Sequence, residues 1–84
     1  MYRAVYNEEA LRHVLSLRPA RLREFALRQI EWLAQNPFTI GDFVVREETG
    51  RENQIKVFTG PAIAFWPDHP VKELRIVDVR KLAH

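Results

Sequence analysis

The chain has no cysteine, only three glycines, and no apolar run long enough to cross a membrane in its 84 residues. Without cysteine there is no disulfide framework, no thiol nucleophile and no zinc site built on thiolates. The same absence agrees with a reducing cytoplasm, which is the expected location. The opening residues, MYRAVYNEEA, contain no apolar signal-peptide core. Also missing are an HExxH helix, a glycine-rich phosphate loop, a GxSxG elbow and paired carboxylates. The histidines, His13, His69 and His84, are scattered and give no metal-ligand spacing. Neither a metal nor a cofactor is therefore expected.

What is present describes one folded domain over residues 1–84. Hydrophobic residues make up 46% and charged residues 29%, which rules out a disordered chain. The net charge of +2 conceals an uneven distribution. Arg12, Arg18, Arg21, Arg23 and Arg28 stand close together against a single acid, Glu24. Such a basic surface draws phosphate or an acidic protein.

The stretch Pro19 to Pro37 organises the rest. Pro19 fits a first helical position. Leu22, Phe25, Ala26, Ile30 and Leu33 follow at helical spacing and form an apolar stripe. Arg21, Arg28 and Trp32 flank it, with Glu24 and Glu31 farther round. Asn36-Pro37 stops the helix. Before it, Tyr2 to Tyr6 reads as a strand, and Asn7 caps a first helix running from about Glu8 to Leu17 through Leu11, Val14 and Leu15. Two helices joined so closely form a hairpin.

After the helices come a breaker-rich turn, in which Phe38 and Ile40 are expected to tuck onto the core, and then four strand-like runs. These are Phe43-Val44-Val45, Asn53 to Phe58, Ala62 to Trp66, and Val71 to Val79. The last run alternates imperfectly: Leu74 and Ile76 share a face with Asp78, while Val77 and Val79 share one with Glu73 and Arg75. Phe65 and Trp66 are adjacent and must face opposite ways, with Phe65 the core residue. Trp32 and Trp66 are aromatic surfaces on which a base could stack. A strand, a helix pair and four strands with short connections specify an α+β fold: an N-terminal strand, a two-helix hairpin and a four-stranded antiparallel meander.

The passage Leu33-Ala34-Gln35-Asn36-Pro37 followed by Gly41 resembles the L-x-x-N-P…G passage of the RelE/ParE toxin superfamily. Gly50, Ile55-Lys56-Val57, Ala62 to Asp68 and Val71 to Ile76 fall where that family places its strands, so the likeness runs along nearly the whole chain. The resemblance implies a toxin of a bacterial type II toxin–antitoxin system, with an antitoxin protein as its partner. RelE-like members cleave messenger RNA on the ribosome, whereas ParE-like members inhibit DNA gyrase. A third reading is an interaction domain of the same fold without toxicity.

Metal-independent RNA cleavage needs a group to move the 2′-hydroxyl proton and cations around the phosphate. Lys56 and Arg80 match basic positions of the resembling family, and His69 or His84 would carry the proton. Asp68 stands beside His69 and could orient it. Arg46, Arg51, Arg75 and Lys81 are the further RNA-binding candidates. The arginine that the family often places at the start of the next strand is absent; Pro61 or Ala62 stands there. The antitoxin-binding candidates are Arg18, Arg21, Arg28 and Trp32, a basic flank suited to an acidic amphipathic segment. No membrane partner is expected, and a homo-oligomer stays open.

Overall fold

The computed structural model describes residues 1–82. Strand β1 (Arg3–Tyr6) leads into helix α1 (Glu8–Leu15) and helix α2 (Ala20–Gln35). Four strands follow: β2 (Phe43–Arg46), β3 (Glu52–Val57), β4 (Pro61–Asp68) and β5 (Glu73–Lys81). A short 3-10 turn over His69–Val71 joins the last two. The sheet order is β1-β5-β4-β3-β2. The α+β class and the four-stranded antiparallel meander are as expected, and β1 adds a parallel pairing to β5.

Asn7 caps α1 as its sequence position implies, accepting the Ala10 N–H at 2.6 Å. Pro19 lies one position earlier than expected: it is the N-cap of α2, with extended backbone, and Ala20 begins the helix. Asn36 closes α2.

Ala10, Val14, Leu17, Ala26, Ile30, Leu33, Ile63, Phe65, Leu74, Ile76 and Val79 form one core cluster between the helices and one sheet face. Leu22 only borders it, and Leu11 and Leu15 lie outside it, on the exposed side of α1. Val14 of the expected stripe is fully buried, but its buried companions are Ala10 on α1 and Leu17 just beyond it, in place of Leu11 and Leu15. Ala10 and Val14 are both fully buried in the core cluster, and α1 packs mainly on β5. Phe38 and Ile40 are also exposed; Pro37 is the buried residue of their segment.

The broken alternation of β5 has a local cause. Phe65 pairs with Ile76 but Ala64 pairs with Asp78, so Val77 is an extra, bulged residue. The bulge returns Val79 to the face of Leu74 and Ile76, and all three reach the core.

Gly41 permits the close approach of the turn to β3. A Cβ there would sit 2.7 Å from the backbone nitrogen and oxygen of Ile55. The Gly41 N–H donates to the Gln54 side chain at 2.7 Å, which fixes the entry into β2.

Candidate functional site

Strand register decides which side chains share a face. Ile63 and Phe65 point to the helices, so Ala62, Ala64 and Trp66 point to the open face. Directly across from Trp66 is Arg75, and across from Ala62 is Arg80. Lys56 pairs with Ile63 and is therefore on the helix side. The expected catalytic pair Lys56 and Arg80 thus lies on opposite faces of the sheet and does not converge on one phosphate. Arg46 and Lys81 are also outside the open face, since Lys81 pairs with Pro61 and Arg46 alternates with Phe43 and Val45.

The open face carries a cleft of about 290 Å³ lined by Val5, Tyr6, Asn7, Glu47, Arg51, Trp66, Arg75, Ile76 and Val77. The Arg51 guanidinium lies 4.5 Å from the Trp66 ring centre and that of Arg75 lies 6.0 Å from it. Both cations contact the indole ring that would otherwise receive a base. Each is also countered by acid: Arg51 by Glu47 at 3.1 Å, Arg75 by Glu73 at 2.9 Å and Asp68 at 3.5 Å. Glu47 in turn accepts from the buried Asn53 at 2.7 Å. Arg46 is paired with Glu52, Lys56 with Asp42 and Arg80 with Asp78, whereas Lys81 donates to the Arg18 carbonyl at 3.3 Å and has no carboxylate partner among the described residues.

The histidines fall differently from expectation. His84 lies outside the described residues. Asp68 does not orient His69, because it is engaged by Arg75. The partner of His69 is the Tyr2 hydroxyl, 2.6 Å from Nδ1, and Phe38 stacks on the imidazole at 4.9 Å. His13 is the histidine bound to a carboxylate: its Nδ1 is 2.6 Å from Asp78 Oδ1, while Arg80 Nε holds Asp78 Oδ2 at 2.7 Å. Strand β1 ends opposite Ile76, so α1 covers the next part of β5 and brings His13 to Asp78. The signal in the sequence was Asp78 itself, a carboxylate inside an apolar strand, which calls for a partner.

Glu9, His13 and Asp78 also bring three ligand-type atoms within 4.8 Å of one another. Two of its members, His13 and Asp78, are already bonded to each other, and Asp78 to Arg80 as well.

Three carboxylates are held below their ordinary pKa range. Burial works to raise the Asp78 pKa, but the hydrogen bonds from His13 and Arg80 and the charge of Arg80 outweigh it. Asp42 is lowered chiefly by the Val57 N–H, and Glu47 by Asn53 and Arg51. A depressed folded-state pKa adds stability that is full above the unfolded value, about pH 4 for carboxylates. That stability is lost as pH falls through the folded value. The thermal midpoint is accordingly expected to hold steady from neutrality to about pH 5 and to fall below about pH 4. Asp78→Asn should flatten part of that fall in melts followed by circular dichroism. An unchanged acid slope in this variant would mean that Asp78 is not so bound.

The antitoxin candidates do come together. Arg21, Arg28 and Trp32 recur at helical spacing on the outer face of α2, away from buried Ala26, Ile30 and Leu33. Beside them runs a shallow groove lined by Pro19, Arg21, Leu22, Phe25, Arg28 and Thr59. Phe25 packs edge-on against Phe58, and the Arg28 guanidinium lies 6.0 Å from the Phe25 ring centre. Arg18 differs, since its guanidinium turns back to the Leu17 carbonyl at 3.3 Å. Among the described residues, Arg12, Arg18, Arg21, Arg23 and Arg28 make no ion pair with a carboxylate. No helix is long and apolar enough to cross a membrane among these residues.

No protein-family model and no curated protein matches the sequence. Solved structures match the fold. A chain of the RelBE2 toxin–antitoxin complex from Mycobacterium tuberculosis superposes with a TM-score of 0.80 at 17% identity, covering 96% of this chain and 98% of that one. A chain of the intact E. coli RelBE toxin–antitoxin complex gives a TM-score of 0.66 at 13% identity over 100% of both chains. The chain shares its fold with a chain of each of these two RelBE complexes.

Proposed function

We propose that this chain is the toxin of a toxin–antitoxin pair, restrained by an acidic antitoxin segment lying along α2, and that it acts by binding a protein target. The observation that carries this reading is the division of charge. The sheet arginines and Lys56 are matched by neighbouring carboxylates, while the arginines from Arg12 to Arg28 are not. Unmatched guanidinium groups beside Trp32 and the Phe25 groove suit an amphipathic acidic helix. The fold neighbours are themselves toxin–antitoxin complexes, which supports a protein partner of this kind. Cations already held by carboxylates are poorly prepared to stabilise a phosphorane, and this disfavours RNA cleavage.

One observation favours the second reading, a ribonuclease. His13 is oriented by Asp78, and Arg80 shares the same carboxylate, so an imidazole and a guanidinium stand together.

Induced expression in a host without the antitoxin separates the readings. The expected result is growth arrest with intact message. Message cut on translating ribosomes would favour the ribonuclease, and cleavage should then drop about 10²–10³-fold in Arg80→Ala. Absence of any growth defect would overturn the toxin reading.

A further inference from the structure

Strand β2 closes one end of the sheet, with β3 as its only neighbour. Its apolar residues are exposed on both faces: Phe43 by 61%, Val44 by 50% and Val45 by 48%. Natural edge strands are ordinarily guarded by lysine, proline, a bulge or a covering element. On β2 the only charged residue is Arg46, at its end.

The backbone directions follow from the ladder. Glu47 N donates to Arg51 O at 2.8 Å, in register with the β2–β3 pairing. Bonded residues alternate along an antiparallel strand. Phe43 and Val45 therefore turn their peptide groups toward β3, and Val44 and Arg46 turn theirs outward.

We propose that β2 is a dimer seam, at which a second copy of this chain adds its own β2 antiparallel about a two-fold axis through Val44. The sequence Asp42-Phe43-Val44-Val45-Arg46 is self-complementary in that register. Val44 meets Val44 of the second copy, and their outward peptide groups exchange both hydrogen bonds. Phe43 meets Val45, an aromatic against a β-branched side chain, twice. Arg46 comes opposite Asp42, so no like charges meet, and each keeps its partner within its own chain: Glu52 for Arg46, and Lys56 with the Val57 N–H for Asp42. Sliding the pairing to centre on Val45 would set Arg46 against Val44 and Phe43 against Glu47, and would lose the Phe43–Val45 match. An isologous contact of this kind closes on itself and does not propagate into fibres. The two five-stranded sheets would join into one, with their open faces on the same side.

The lack of cysteine gives a clean test on the full-length chain. Directly opposed bonded residues have Cα atoms about 5.5 Å apart, within disulfide range. Val44→Cys should form a covalent dimer under mild oxidation at least about tenfold faster than Val45→Cys, whose own copies lie out of reach in this register. Equal rates would overturn the register, and no dimer from Val44→Cys would overturn the seam. Sedimentation of the unmodified chain should show a reversible dimer, and Val44→Lys, which opposes two ammonium groups, should sediment as a monomer with an unchanged circular dichroism spectrum. A parent chain that stays monomeric, or a dimer that survives Val44→Lys, would refute the proposal.

Discussion

Replacing Phe65 by alanine is expected to remove about 3–5 kcal/mol of stability, the range for a buried phenylalanine. Phe65 has no exposed surface and sits on β4, the strand between β5 and β3. It faces Ile63 along its own strand and Ile76 across the ladder, with the helices above. Removing the ring leaves a cavity that two helices and a paired sheet are poorly able to close. Domains hold only roughly 0.05–0.15 kcal/mol per residue in total, so the loss takes a large share. The contrasting variant is Phe38→Ala, on a residue 76% exposed, which should shift stability by no more than about 1 kcal/mol. Urea melts of both variants check the pair. A loss below about 1 kcal/mol at Phe65 would mean that the core has been misplaced.

If the proposed acidic antitoxin lies along α2, reversing Arg21 and Arg28 together to glutamate weakens its binding by about a hundredfold. Exposed ion pairs are individually worth about 0.2–1 kcal/mol. Reversal replaces each attraction with repulsion, and the two sites act beside an apolar groove that the partner would desolvate. Arg18 is left out of the variant because its guanidinium holds the chain at the end of α1, so its loss would mix stability with affinity. Trp32→Ala should weaken binding in the same direction. Arg46→Glu, on an exposed arginine at the far edge of the sheet, is the comparison that should leave affinity almost unchanged. Isothermal titration with the antitoxin gives the numbers. Equal affinity for the parent and the α2 double variant would locate the partner elsewhere.

The helices and the meander were legible because their signals are local. Asn7, Asn36-Pro37 and the period of Ala26, Ile30 and Leu33 each act within a few residues of themselves. On α1 the periodicity identifies Val14 as core but favours Leu11 and Leu15 over the smaller Ala10, and size alone does not reveal which side meets a sheet. Phe38 and Ile40 were misplaced for the same reason: hydrophobicity was taken as burial, whereas Phe38 stacks on exposed His69. The grouping of charges could not be read from composition. Lys56 and Arg80 are separated by strand parity, and His13 meets Asp78 across 65 positions of sequence. The bulge at Val77 was visible only as a fault in the alternation, and its meaning depended on the pairing with β4.

The parallel pairing of β1 with β5 bears on how the molecule is made. The first strand of the chain finds its only sheet partner in the last. While the ribosome is still adding the meander, β1 has no strand to pair with and α1 lacks β5, its main contact. Contacts this far apart in sequence form late, after a large loop has been closed. The side of α1 that meets β5 therefore stays open until β5 emerges. For a growing chain this is an interval in which apolar surface that the finished fold conceals stands exposed.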